Sequence, residues 1–93
     1  RIDRTNPLLA CIRNAVTRNY RESGLMQKAI SKWTGIGPSQ LSLILSGKRA
    51  IFADELIRLV VVLEIPLSEV FGPELWREYE QKMASKDTEG INR

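Results

Sequence analysis

A chain of 93 residues with a net charge of +3 and ordinary apolar (43%) and charged (27%) fractions is expected to form one small globular domain, with a core sufficient to fold alone but no wide margin. It contains no histidine and one cysteine, Cys11, which excludes an internal disulfide, thiolate–imidazole catalysis, histidine-based triads and ordinary zinc sites. No apolar run approaches the ~20 residues needed to cross a bilayer; the longest, Leu59 to Leu63, is short, and the opening RIDRTNP lacks the apolar stretch of a secretory signal.

Residues 1–5 read as a mobile arm. Asn6-Pro7 is a strong helix start, because Asn caps and Pro suits the first turn. The first helix is expected to run to about Arg21, with Leu8, Leu9, Ile12, Val16 and Tyr20 on one face and Cys11 as a small buried hydrophobe. Arg13, Arg18 and Arg21 lie off that stripe, either solvated or facing phosphate. Ser23-Gly24 breaks the helix. A second short helix follows, with Met26, Ile30 and Trp33 at helical spacing, and Gly35 supplies the left-handed residue at which helices commonly end. Trp33 has two readings, one in the core with Met26 and Ile30, the other half-buried at the helix edge, and the second is preferred because Trp is rarely fully buried.

Pro38 fits the first position of a third helix. Leu41, Ile44 and Leu45 stand at i, i+3 and i+4 and point to a core. The other face carries Ser39, Ser42, Leu43 and Ser46, with Gln40 beside them, and a Gly47-Lys48-Arg49 corner closes the unit. Two short helices joined by a glycine-punctuated turn, the second apolar inside and rich in hydroxyls outside, make a candidate for the helix-turn-helix that lays one helix in a DNA major groove. A fourth helix spans about Ala53 to Leu63. Asp54 and Glu55 stand in its first turn, and Leu56, Leu59, Val60 and Leu63 face the core. Ile57 and Val61 add a second apolar face, with Val62 on the other side, which either a buried central helix or a partner subunit would explain. Pro66 ends this pattern, and Leu67 to Phe71 reads as a short fifth helix. After Gly72-Pro73, a sixth helix to about Ala84 carries Leu75, Trp76, Tyr79 and Met83 on one stripe. The tail from Ser85 has little to bury and is expected to be disordered.

Catalysis finds few candidates. The carboxylate pairs Asp54-Glu55 and Glu78/Glu80 do not face one another on a helix, and Gly35-Ile36-Gly37 is too short for a phosphate-cradling loop. No enzyme, cofactor or metal is expected. Charge is more informative. Residues 1–49 hold nine basic side chains against two acidic, and residues 50–93 hold five against nine. The basic half contains the two-helix unit, so a polyanion is the natural partner.

The ordered set Gly24-Leu25-x-Gln27, Ile30, Gly35-Ile36, Leu41-Ser42, Ile44 and Gly47-Lys48-Arg49 resembles the phage-repressor (Cro-repressor or XRE-type) helix-turn-helix family from about Leu8 to Phe71. The resemblance implies an all-α fold, a five-helix repressor-like helix-turn-helix domain over residues 6–72, with an added C-terminal helix at 73–84. The family usually has Ser or Thr where Met26 stands, Ala at Ser31 and Leu at Thr34, and more often polar residues at Leu43 and Leu45. Gln27 matches the family position that hydrogen-bonds a phosphate. Lys48 and Arg49, following the recognition helix, are expected to meet backbone phosphates too, which supplies affinity and register. Pro38, Ser39, Gln40, Ser42 and Leu43 form the expected base-reading set. Gln suits adenine, Ser is tolerant, and Leu43 either covers a thymine methyl or is a single exposed leucine. With no Arg or Asn there, DNA shape is expected to contribute to specificity.

The resulting expectation is a cytoplasmic, bacterial or phage-encoded regulator of transcription. It would bind double-stranded DNA as a homodimer on a near-palindromic operator, with Ile57, Val61, Leu75, Trp76, Tyr79 and Met83 as the dimerisation set. The alternative is an antitoxin-like or adaptor module docking a protein partner, a toxin or a polymerase, on the fourth and sixth helices.

Overall fold

The computed structural model describes residues 7–91, and the side chains of residues 7–86. The expected arm at residues 1–5 and the Asn6 cap lie outside the described residues. Six helices follow one another: α1 (Pro7–Ser23), α2 (Gln27–Thr34), α3 (Pro38–Leu45), α4 (Ala53–Val62), α5 (Leu67–Phe71) and α6 (Pro73–Ile91). There is no strand among the described residues, and no described helix is long and apolar enough to cross a membrane. The all-helical expectation and its six elements are therefore met.

α1 packs on α5, α2 on both α3 and α4, and α5 on α6. The core between them takes Ala15 and Val16 from α1, Ile30 from α2, Leu41 and Ile44 from α3, and Leu59 from α4. Ile36, Leu63, Ile65 and Val70 close it from the turns and α5. Burying each large aliphatic side chain stabilises the fold by roughly 1.5–3 kcal/mol. Cys11 is partly buried and free, close to its expected role.

Several sequence expectations need correction. α1 extends two residues past Arg21. It does so because the Ser23 hydroxyl donates to the Tyr20 carbonyl at 2.7 Å and accepts from the Leu25 N–H at 3.1 Å, so Gly24, at φ 71°, is the residue that leaves the helix. Leu9, placed in the core stripe, is exposed because the first turns of α1 overhang a groove beside the α3–α4 loop. Met26 caps α2 in an extended conformation and is 75% exposed, so it never joins the helix face. Trp33 is 58% exposed, more than a half-buried edge residue, because the buried line of α2 runs through Ile30 and Thr34.

On α4, Ile57 and Val61 are 66% and 71% exposed. Burial in the chain's own core does not account for them, since the packed side of α4 is the Leu56–Leu59–Leu63 face. The helix ends at Val62 in a Schellman-type cap. The Ile65 N–H donates to Val60 O at 2.9 Å, and Glu64 takes the left-handed position at φ 53°. α6 continues to Ile91, past Ala84 and through much of the segment expected as a disordered tail. Between Pro73 and Gly90 the sequence has no Gly or Pro to stop it.

Candidate nucleic-acid interface

The turn between α2 and α3 is held by the hydroxyls of Ser31 and Thr34, which both bond the backbone of Ile36. Ile36 is buried, so both of its backbone polar groups need partners. Its N–H donates to Thr34 Oγ1 at 3.2 Å, and its carbonyl accepts from Ser31 Oγ at 2.5 Å. Thr34 Oγ1 also donates to the Ile30 carbonyl at 2.7 Å, which accounts for a buried hydroxyl. Here the hydroxyls clamp the turn chemically. Gly35, at φ 79°, supplies the left-handed step, and its N–H donates to Ser31 O at 2.9 Å. Pro38 then opens α3.

Leu41 and Ile44 are buried and Leu45 is partly buried, which fixes the rotation of α3 about its axis. Pro38, Ser39, Gln40, Ser42, Leu43 and Ser46 are all exposed. Of the expected base-reading residues, Pro38, Ser39, Ser42 and Leu43 are exposed on the side away from Leu41 and Ile44, while Gln40 stands at the edge, in a groove with the α2–α3 turn, Asp54, Glu55 and Arg58. The Ser46 hydroxyl is already committed, donating to Leu43 O at 3.1 Å. The helix ends as a Schellman motif, Gly47 N–H to Ile44 O at 3.1 Å and Lys48 N–H to Leu43 O at 2.9 Å, with Gly47 at φ 77°. Gln27, the first residue of α2, is exposed at that helix's N-terminal end, as is Lys48 after α3.

Arg49 is the exception in the expected phosphate-binding set. Its guanidinium forms a two-pronged pair with Glu55, Nη1 to Oε1 at 2.9 Å and Nη2 to Oε2 at 2.8 Å, and Nη1 also donates to the Ala50 carbonyl at 3.0 Å. The Phe52 ring lies 4.7 Å from Cζ. Only 20% of the Arg49 side chain and 14% of the Glu55 side chain are exposed, so this pair closes the α3–α4 loop and the guanidinium is not a free cation. The hydrogen bond from Arg49, assisted by one from the Phe52 N–H at 2.9 Å and by the guanidinium charge, holds the Glu55 carboxyl below its usual range. The same contact raises Arg49 above its already high value. The Arg49 partnership has no local signal in the sequence; Glu55 three residues after Phe52 has the spacing of half a capping box, which accounts only for its bond from the Phe52 N–H.

Of the expected dimerisation residues, Trp76 is used within the chain. Its ring meets Phe71 edge-on at 5.3 Å and Tyr79 at 5.5 Å, and Phe71 meets Tyr79 at 5.4 Å, so three rings fasten α6 to α5. Leu75, Tyr79 and Met83 remain exposed. Arg18 and Asn19 of α1 both reach Glu69 of α5, tying the far side of the domain.

The chain matches no family model, and no curated protein or solved structure is significantly similar to it.

Proposed function

We propose that this chain is a sequence-specific double-stranded DNA-binding regulator of transcription, of the phage- or plasmid-repressor type, with α2 and α3 as its helix-turn-helix. The observation that carries the reading is the exposed face of α3, where Ser39, Ser42 and Leu43 stand together, with Gln40 at its edge, on a helix whose rotation is fixed by Leu41 and Ile44. That helix sits in the basic half of the chain, behind a clamped turn. Gln27 and Lys48 would contact phosphate, and the α3 face would enter the major groove. Dimerisation through the remaining exposed residues of α4 and α6 would set two such helices ~34 Å apart, one turn of DNA.

The deciding experiment is selection of bound sites from a random duplex pool, followed by titration of the selected site and of random duplex. Gln40→Ala should weaken binding to the selected site by roughly 1–3 kcal/mol and change random-duplex binding little. Equal losses on both for Ser39→Ala, Gln40→Ala and Ser42→Ala would mean that α3 does not read bases. Leu75→Glu with Met83→Glu should convert a sedimenting dimer to monomer; an unchanged dimer would remove α6 from the interface.

The exposed apolar pairs Ile57/Val61 and Tyr79/Met83 favour a second reading, an antitoxin-like or adaptor module that docks a protein partner there. Failure of the wild type to bind any duplex at low salt would leave that reading in place of the first.

A further inference from the structure

The cations of the basic half are not equivalent. Arg18 closes on Glu69 and Arg49 on Glu55. Arg13, Arg21, Lys28, Lys32 and Lys48 form no ion pair among the described residues. Of these, Arg13 and Lys48 are neighbours through Gly47. The Arg13 Cδ and Nε lie 3.6 Å, and its Cζ 3.8 Å, from where a Cβ would stand on that glycine. The arginine stem therefore lies along the bare face of the residue that caps α3, one position before Lys48. The groove at this corner, about 320 Å³, is lined by Arg13, Lys48 and Arg49 with no carboxylate, over an apolar floor that includes Leu9 and Ile51. Among the described residues the acids acting on Arg49 are Glu55, which is occupied by its guanidinium, and Asp54.

We infer that Arg13 is a phosphate ligand, working with Lys48 to hold the sugar-phosphate backbone at the end of α3, while Arg49 serves the loop. This rests on the duplex-binding reading above, and it moves part of the backbone contact onto α1. An anion at a helix C-terminus opposes the helix dipole, which is equivalent to about −0.5 charge there. Two unneutralised cations outweigh that. The opposing carbonyls are themselves capped, Leu43 O by the Lys48 N–H and Ile44 O by the Gly47 N–H. The stem resting on Gly47 also limits the freedom the guanidinium must lose on binding.

The test is a fluorescence-anisotropy titration of the full chain on random-sequence duplex between about 50 and about 200 mM salt. Arg13→Gln and Lys48→Ala should each reduce the slope of log affinity against log salt by about 0.9, and the double variant by about twice that. Arg18→Ala, which removes a cation already paired, should leave the slope unchanged. Circular dichroism of each variant checks that the helices persist. A folded Arg13→Gln with the wild-type slope overturns the inference and leaves duplex binding intact as a reading. So does a slope that falls for Arg13→Ala but not for Arg13→Gln, which would make the stem's packing responsible. A wild type that binds no duplex at the lowest salt removes the DNA reading and this ligand with it.

Discussion

The α2–turn–α3 unit and the α5–α6 arm solve opposite problems. α2 and α3 are eight residues each, well below the ~12–15 at which an isolated helix becomes even marginal in water. They exist because Ile30, Leu41 and Ile44 are buried beneath them and because hydroxyls and caps account for the backbone of the turn. α6 has nineteen residues, so length favours its hydrogen bonds. Tertiary packing touches mainly its start, through Trp76 and Tyr79 against Phe71. The first region is locked in rotation and position, which suits a surface that must present side chains in register. The second is anchored at one end and carries exposed apolar groups, which suits a surface completed by something else.

Removing a core side chain should separate the two regions most strongly. Leu41→Ala is expected to cost about 2–5 kcal/mol in urea unfolding, because the cavity it leaves lies under α3. At concentrations where the chain is monomeric, Met83→Ala should stay within about 0.5 kcal/mol, as for other surface changes. A loss at Met83 approaching that at Leu41 would show that α6 is packed in solution. Thr34→Val keeps the shape but leaves the buried Ile36 N–H without an acceptor, at a cost of about 1–3 kcal/mol. A neutral Thr34→Val would mean that water or a shifted turn replaces the hydroxyl.

Acid should act on the loop after α3 rather than on the arm. Glu55 has a folded pKa below its unfolded value of about 4.3. Its stabilisation is therefore complete above that value and is lost as pH falls through the lowered folded pKa. Glu55→Gln should lower the melting temperature at neutral pH and flatten its fall in this acid window. An equally steep fall in the variant would assign acid sensitivity to other carboxylates. The smallest effect is expected from deleting residues 85–93, which should leave the melting temperature within scatter; a loss above about 1 kcal/mol would show that this end of the chain packs.

Much of the scaffold is legible because its punctuation is local. Gly35, Pro38, Gly47, Pro66 and Gly72-Pro73 mark helix ends by their own backbone preferences, and Leu41, Ile44 and Leu59 fall at core spacing. The face of α3 follows directly, since burying one side of a helix exposes the other. What escaped depends on distance in space. Met26 has the spacing of α2 but stands before its first turn. Trp33 lies on the right stripe only if the helix is rotated toward it, and Thr34 decided that rotation. Arg49 looks like a free cation until the loop folds it onto Glu55. Arg13, assigned no particular role beyond solvation or phosphate, comes beside Gly47 only when α1 crosses the end of α3. The expected end of α6 at Ala84 followed loss of apolar pattern, but a helix needs a breaker to stop.

Gly72 gives α6 its direction. At φ 82° and ψ 158° it occupies a region open essentially to glycine alone, and a Cβ there would stand 3.0 Å from the Cys11 sulfur. The nineteen-residue helix beyond it is about 28 Å long at 1.5 Å per residue. Geometrically it is a lever with a one-residue fulcrum. A change of roughly 10° in heading at Gly72 would sweep the far end through about 5 Å on that length, comparable to one full helical turn of register against any surface it meets. The heading of α6 is thus set at the junction, by the fit of Gly72 against Cys11 together with the Phe71, Trp76 and Tyr79 ring contacts one to two turns beyond it.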